Sequence, residues 1–390
     1  MRGHAAGPYS LRVKRRPLEL HSGIDFEPID LNELRPPPRD IERVVDAEDD
    51  RLYPVPHPSG SGEPARQRGN SRRTPPGPTG KQEGKKAQRR KRVPPAAGRA
   101  NAVAGRRLLP RDEEERQAAK YFSLYNKRYK LVEHIGEGGM GVVYRARDTL
   151  LDIDVAVKIL TRHALSDNRA TNRFKAEAVT VMKLSHENIV QLHNVEVLGQ
   201  RWFLVMEYVD GGTLADVLKQ KPRLTPDSVV SLSFYASRAL TYAHRQGVLH
   251  RDLKPANVML AREGVLKIVD FGTALWTSQP TDSGSEPYIE GTPCYMSPEQ
   301  IRADPLDVRT DVYSLGLTLY ECLAGHPAFP HDSTPECVLQ EEPQPITGVG
   351  EAVIDVISKA THKDPEARWG TVREFYGALA KSVQPKASAG

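Results

Sequence analysis

The segment His250-Arg251-Asp252-Leu253-Lys254-Pro255-Ala256-Asn257, followed by Asp270-Phe271-Gly272, constrains this chain more than any other feature. An apolar, helix-like run precedes it, and the second acid stands 18 residues past the first. An acid, a lysine, an amide and a second acid therefore follow in fixed order on loops. That set suits chemistry on a polyphosphate. An acid can receive a proton, a lysine can neutralise phosphate charge, and Asn257 with Asp270 can hold magnesium through oxygen. His-Arg-Asp alone would carry little weight; the spacing of the whole set carries the inference.

Upstream, Tyr129–Ile135 alternates like a strand, Gly136-Glu137-Gly138-Gly139-Met140-Gly141 follows, and Val142–Ala146 reads as a second strand. A glycine turn between two strands is a hairpin, unlike the dinucleotide fingerprint, which opens a helix. Glycines at 136, 138 and 141 let its backbone lie close over phosphates. The third strand, Val155–Leu160, contains Lys158, a lysine that is costly among apolar neighbours unless an acid pairs with it. The next helix offers Glu177 at the edge of an apolar face made by Phe174, Ala178, Val181 and Met182. Ile189–Val197 and Arg201–Val209 read as two further strands, completing a five-stranded antiparallel sheet with one helix. Asp210-Gly211-Gly212 is a breaker that fits a hinge between two lobes.

The remainder reads as mainly helical. Thr225-Pro226-Asp227 is a good helix start, and Gly247 ends that helix. Val265–Val269 is a short strand. Val312–Leu323 is apolar on most sides, as expected of a helix at the centre of a lobe. Amphipathic helices near Glu351–Thr361 and Thr371–Ala380 close the fold.

Composition separates this body from what precedes it. With 31 prolines and 6% aromatic residues, part of the chain is expected not to fold, and the prolines, glycines and arginines concentrate in residues 1–110. Within them Leu11–Leu31 mixes apolar and charged residues and fits either docking or a solvated tail. Residues 51–100 hold 13 Lys+Arg against 2 Asp+Glu, a balance of 13 − 2 = +11, although the whole chain is only +5. The run Lys81–Arg92 suits an acidic partner or nucleic acid through charge alone, and equally suits a solvated tail. No aromatic residue interleaves it, so base stacking has no support. Cys294, Cys322 and Cys337 show no metal spacing and read as free thiols in a reducing compartment. No apolar run reaches the length of a transmembrane segment, and no apolar stretch follows the early basic residues as in a signal peptide. A cytoplasmic protein is expected.

Taken together, these motifs resemble the eukaryotic-type protein serine/threonine kinases, most like the bacterial branch. The resemblance covers about residues 129–381 and rests on the Gly136–Val143 loop, Val155-Ala156-Val157-Lys158, Glu177, His250–Asn257, Asp270-Phe271-Gly272, Ser297-Pro298-Glu299 and Arg368. It implies an α+β, two-lobed kinase fold, with an N-lobe over 129–209 and a C-lobe over 213–381. Before these come a disordered extension (1–110) and a helical lead-in (111–128), and after them a tail (382–390).

The resemblance also implies ATP and Mg2+ as cofactors and proteins bearing Ser/Thr as substrates. Ile135, Gly136, Glu137, Gly138, Gly139, Met140 and Gly141 would cover ATP. Val143 and Ala156 would lie against adenine, with Met259 beneath it. Met206 would be the gatekeeper, and Glu207 and Val209 would form the hinge. Lys158 would contact phosphates and pair with Glu177. Asp252 would accept the substrate proton, Lys254 would reach the γ-phosphate, and Asn257 and Asp270 would bind magnesium. Thr292 would touch the catalytic loop, Asp311 would brace it, and Glu299 would pair with Arg368. Ser297 departs from the usual alanine, a change expected to be tolerated. A phosphate accepted at Thr281, Ser283 or Ser285 would order the segment before Glu299 through Arg251. A non-catalytic ATP-binding scaffold, or a tether acting through its basic tail, is the alternative; intact Lys158, Asp252, Asn257 and Asp270 weigh against the scaffold.

Overall fold

The computed structural model describes residues 111–138, 141–160, 175, 178–199, 201–271 and 293–384. The extension over 1–110 with its basic run Lys81–Arg92, the loop tip at Gly139 and Met140, Glu177, and the stretch from Gly272 through Thr292 lie outside that set. So do the three hydroxyls at Thr281, Ser283 and Ser285.

Strands β1 (Tyr129–Gly138), β2 (Gly141–Asp148), β3 (Ile153–Leu160), β4 (Leu192–Leu198) and β5 (Arg201–Glu207) form an antiparallel sheet ordered β1-β2-β3-β5-β4. The two-residue period of a strand explains how β3 is buried from Val155 to Leu160. Val155, Val157 and Ile159 face a core on the outer side of the sheet. On the other face Ala156 and Lys158 line a cleft, and Leu160 packs with Ala178 of the helical segment 178–182. Lys158 thus has no wet side, and an acid must meet it. Gly141 opens β2 at φ 148°, and a Cβ there would stand 1.9 Å from the carbonyl oxygen of Ile159.

The outer face of the sheet is covered by α1 (Arg111–Tyr125). Ala118 and Phe122 are wholly buried on it, and the rings of Phe122 and Phe203 lie 4.6 Å apart. The helix ends at Asn126, whose Oδ1 accepts the backbone N–H groups of Arg128 (3.0 Å) and Tyr129 (3.1 Å). Arg128 then forks onto the buried carboxylate of Asp148, 2.8 Å at the nearer oxygen. The junction of α1 and β1 is pinned in this way to the end of β2.

Two expectations differ from the structure. The fourth strand begins at Leu192, not Ile189. Ile189 instead makes a parallel bridge with Ile268, and Val190 donates its N–H to the Ile268 carbonyl at 2.9 Å. Backbone groups assigned to the upper sheet are spent on joining it to the lower one. Likewise Gly211 and Gly212, read with Asp210 as a breaker, belong to strand β6 (Gly211–Thr213) of a second sheet ordered β6-β7-β8, with β7 at Val258–Ala261 and β8 at Leu266–Ile268. A Cβ at Gly211 would lie 2.0 Å from the Leu260 carbonyl oxygen, so glycine is what lets β6 approach β7.

The helices of the lower lobe are α2 (Leu214–Gln220), α3 (Pro226–Arg245), α4 (Pro298–Arg302), α5 (Val308–Ala324), α6 (Pro335–Gln340), α7 (Glu351–Ala360) and α8 (Val372–Val383). Thr225 caps α3, its hydroxyl accepting the Ser228 N–H at 3.2 Å, as the sequence leads one to expect. Helix α5 is buried along most of its length and forms the axis of the lobe. The expected Glu299–Arg368 pair is present and bidentate, at 2.7 and 2.8 Å, with both side chains buried. Replacing Phe122 by alanine should cost about 3–5 kcal/mol, the usual loss for a buried aromatic. Urea unfolding of the full chain measures this, and a loss below about 1 kcal/mol would show that α1 is not part of the core.

Candidate active site

Helices α3 and α5 and the second sheet hold the catalytic stretch, and the central contact is a buried carboxylate. Asp311, in the first turn of α5, accepts the backbone N–H of His250 at Oδ2 (2.9 Å) and that of Arg251 at Oδ1 (2.8 Å). His244 of α3 adds a third bond, from Nε2 to Oδ2, at 2.7 Å. Burial pushes the Asp311 carboxyl up, but the His244 bond and the backbone donors outweigh it, and the group sits below its ordinary value. Asp311 therefore stays charged while buried.

The loop it holds is strained. Arg251 has φ 68° and Asp270 has φ 63°, a region that costs a side-chain-bearing residue about 1–3 kcal/mol unless its surroundings enforce it. His250 helps to enforce both. Its Nδ1 accepts the Asp252 N–H at 3.2 Å, so Nε2 carries the ring proton and donates to the Val269 carbonyl at 2.8 Å. The His250 ring also lies edge-on to Phe271, centroids 4.7 Å apart. One imidazole thus ties the residue before Asp270 to the backbone of Asp252.

The four residues that the sequence singles out are together. Lys254 Nζ lies 3.0 and 2.9 Å from the two Asp252 oxygens. Asn257, in a 3-10 turn at Pro255–Asn257, donates Nδ2 to the Asp252 carbonyl at 2.7 Å and to Asp252 Oδ2 at 3.0 Å. Across the cleft Lys158 Nζ meets Asp270 Oδ2 at 2.7 Å. Burial pushes the Asp270 carboxyl up and Lys158 pulls it down more strongly, so it too lies below its ordinary value. The acid that meets Lys158 among the described residues is Asp270; the expected partner Glu177 is outside them.

A cleft open to solvent separates the two sheets. Ile135, Gly136, Gly141, Val143, Ala156, Lys158, Met206, Glu207, Val209, Met259, Asn257 and Asp270 all line it. Glu137 and Gly138 are at its rim as the last residues of β1, opposite Val142 and Gly141. Asp252 and Lys254 lie beside this lining rather than in it. Val190, Tyr208, Thr213, Ala256 and Val269 also line the cleft and were not singled out by sequence. Val269 and Ala256 adjoin Asp270 and Asn257, a neighbourhood signal that was available; Val190 comes close only through its bond to Ile268, which no local pattern announces.

The two acids near the hinge, Glu207 and Asp210, both have cationic partners. The Glu207 carboxylate is taken by Lys267 at 2.8 Å, and Asp210 lies 3.5 Å from Arg262. The Glu207 side chain points to this partner, so its part in the cleft is that of a lining residue with its charge already paired.

The fold is that of a protein kinase. The family model for the protein kinase domain matches residues 129–377, and the chain belongs to that family. Its relatives are bacterial serine/threonine kinases. It is 37% identical over 265 residues to the probable serine/threonine-protein kinase CPE1738 of Clostridium perfringens, covering 66% of this chain and 38% of that one. It is 38% identical over 271 residues to the serine/threonine-protein kinase PknB of Mycobacterium leprae, covering 66% and 44% respectively. This chain thus spans less than half the length of these curated relatives. The crystal structure of the PknI kinase domain of Mycobacterium tuberculosis superposes with a TM-score of 0.56 at 28% identity, covering 66% of this chain and 96% of that one. No helix among the described residues is long and apolar enough to cross a membrane.

The cleft's donor set fits the cofactors that the family implies. An amide oxygen at Asn257 and the Asp270 carboxylate are hard ligands suited to Mg2+, which keeps waters and phosphate oxygens in its remaining positions. Asp311, Asp270 and Glu299 all have folded-state values depressed below their ordinary ones. The stability they contribute is therefore complete above the ordinary carboxylate range and is lost as the pH falls through the depressed values. Acid unfolding should begin below about pH 4. Followed by circular dichroism, loss of structure already at pH 6 would contradict this.

Proposed function

We propose that this chain transfers the γ-phosphate of ATP to serine or threonine hydroxyls of protein substrates, with Asp252 as the base. The observation that supports this best is the cluster of Asp252, Lys254 and Asn257 within hydrogen-bond reach of one another, beside a cleft lined by Lys158 and Asp270. Asp252 orients the acceptor hydroxyl and takes its proton. As the hydroxyl oxygen bonds to the γ-phosphorus, the bond from that phosphorus to the β,γ-bridging oxygen breaks and ADP leaves. Lys254 neutralises charge on the transferred group, and Lys158 holds the α- and β-phosphates. Asn257 and Asp270 would hold magnesium, whose charge would screen the phosphate oxygens. Ile135, Gly136, Gly141, Val143, Ala156, Met206, Val209 and Met259 line the space for the adenine, and Glu137 and Gly138, with Gly139 and Met140 outside the described residues, would complete the cover over the phosphates. Thr292 and Glu177, which lie outside the described residues, would take the roles that the resemblance implies, selecting the acceptor and pairing with Lys158.

Little covalent chemistry is asked of the protein, which mainly positions charged groups and supplies a dry, charged wall. The relatives named as serine/threonine kinases support the choice of acceptor. The same reaction on the chain's own Thr281, Ser283 or Ser285 is its self-activation.

The test incubates full-length protein with labelled ATP and magnesium beside Asp252→Asn and Asp270→Asn, with phosphosites mapped. Wild type should incorporate label on serine and threonine, and Asp252→Asn should be slower by about 10²–10⁴-fold, the usual worth of a general base. Equal labelling in wild type and Asp252→Asn would overturn the assignment of the base. Label confined to sites outside 273–288 would overturn self-activation there.

A further inference from the structure

Ser297 and Gln300 form an unassigned link from the start of α4 to the catalytic loop. Ser297 caps α4, its hydroxyl accepting the Gln300 N–H at 3.4 Å. The Gln300 side chain reaches back, its Oε1 accepting the Ser297 N–H at 3.1 Å and the Ser297 hydroxyl at 3.2 Å. These bonds fix which way the amide points. Its other end, Nε2, donates to the carbonyl oxygen of Arg251 at 2.7 Å. Gln300 is half-buried and Ser297 is fully buried, so the box is shielded from competing water.

The carbonyl that Gln300 holds belongs to the peptide unit joining Arg251 to Asp252. The N–H of that same unit is held by His250 Nδ1. The peptide before it is held by Asp311 through the Arg251 N–H. Arg251 adopts φ 68°, a conformation that a side chain opposes, so the unit has a relaxed alternative into which it can rotate. His250 and Asp311 each grip an N–H; Gln300 grips the carbonyl. Without it the carbonyl end of the peptide plane loses this bond, and the Cα of Asp252 turns with that plane.

We propose that Gln300, aimed by Ser297, is a positioning residue for Asp252. It makes the end of the segment between Asp270 and Glu299 report directly on the geometry of the base. Its amide provides both functions at once, an acceptor toward Ser297 and a donor toward Arg251, which neither a carboxylate nor an apolar side chain can do. Ser297 thereby has a reason to be serine where alanine is usual. The inference rests on Asp252 being the base, and the experiment keeps the two claims apart.

Full-length Gln300→Met, which matches glutamine in length, and Gln300→Glu, which keeps the acceptor but loses the donor, are compared with wild type, Ser297→Ala and Asp252→Asn. Rates are measured with ATP and a degenerate serine/threonine peptide pool, and ATP affinity and Tm are measured on the same samples. Both Gln300 variants should lose about 10–100-fold in kcat, the scale of a small misplacement of a reacting group, with KM for ATP and Tm close to wild type. Ser297→Ala should lose less, since its backbone N–H still reaches Gln300. A kcat within about twofold of wild type in Gln300→Met overturns the proposal, as does a fall in kcat matched by equal losses of ATP affinity or of Tm. If Asp252→Asn is as active as wild type, the assignment of the base is what fails. If Asp252→Asn is inactive while Gln300→Met is unimpaired, only the role of Gln300 fails.

Discussion

The structure depends on the Asp311 carboxylate. A charge in the middle of a helical lobe is expensive unless hydrogen-bond donors meet it, and here two backbone amides and His244 do so. The arrangement joins three elements that are far apart in sequence: α3, α5 and the loop at His250–Asp252. It also explains why the most buried helix of the chain opens with acids near its N-terminal turn, where the helix dipole adds to their stability. Without that charge the His250 and Arg251 N–H groups would lose their acceptor, and the strained turn at Arg251 would lose one of the contacts that enforce it.

The rest of the site extends outward from that anchor through main-chain contacts. His250 carries the constraint to Asp270 by way of the Val269 carbonyl, and to Asp252 by way of its N–H. Asp270 meets Lys158 of the upper sheet. One chain of bonds therefore runs from the core of the lower lobe to the central strand of the upper one. The second join between lobes, from Val190 and Ile189 to Ile268, meets the chain two residues before Asp270, and Val190 itself lines the cleft.

At the outer face of the upper sheet a different solution applies. Val155, Val157 and Ile159 need an apolar cover, and α1 supplies Ala118 and Phe122. The family model begins at residue 129, so this cover comes from outside the matched domain. The helix is rich in good helix formers but at 15 residues is marginal alone in water, and it gains stability from the sheet as the sheet gains burial from it.

Much of the architecture was legible because it rests on local rules. The hairpin at Gly136–Gly141, the threonine-capped helix before the catalytic stretch, the buried axis at Val308–Ala324 and the order of the charged residues all follow from periodicity, capping and turn chemistry, which act over a few residues. Sequence also determined that Lys158 must meet an acid, because an apolar strand leaves a lysine no other outcome. What it could not determine was which long-range partner each polar group would choose. Ile189 and Gly211 left the elements their local patterns suggested because backbone hydrogen bonds with β7 and β8 were available only after the chain had folded back. Glu207 gave its charge to Lys267, sixty residues on. Ser297, a small departure in the sequence, became a cap that aims Gln300 at Arg251. Local propensity acts between neighbours along the chain, whereas burial requires every polar group to be paired by whatever lies nearest in space, and that is settled only by the tertiary structure.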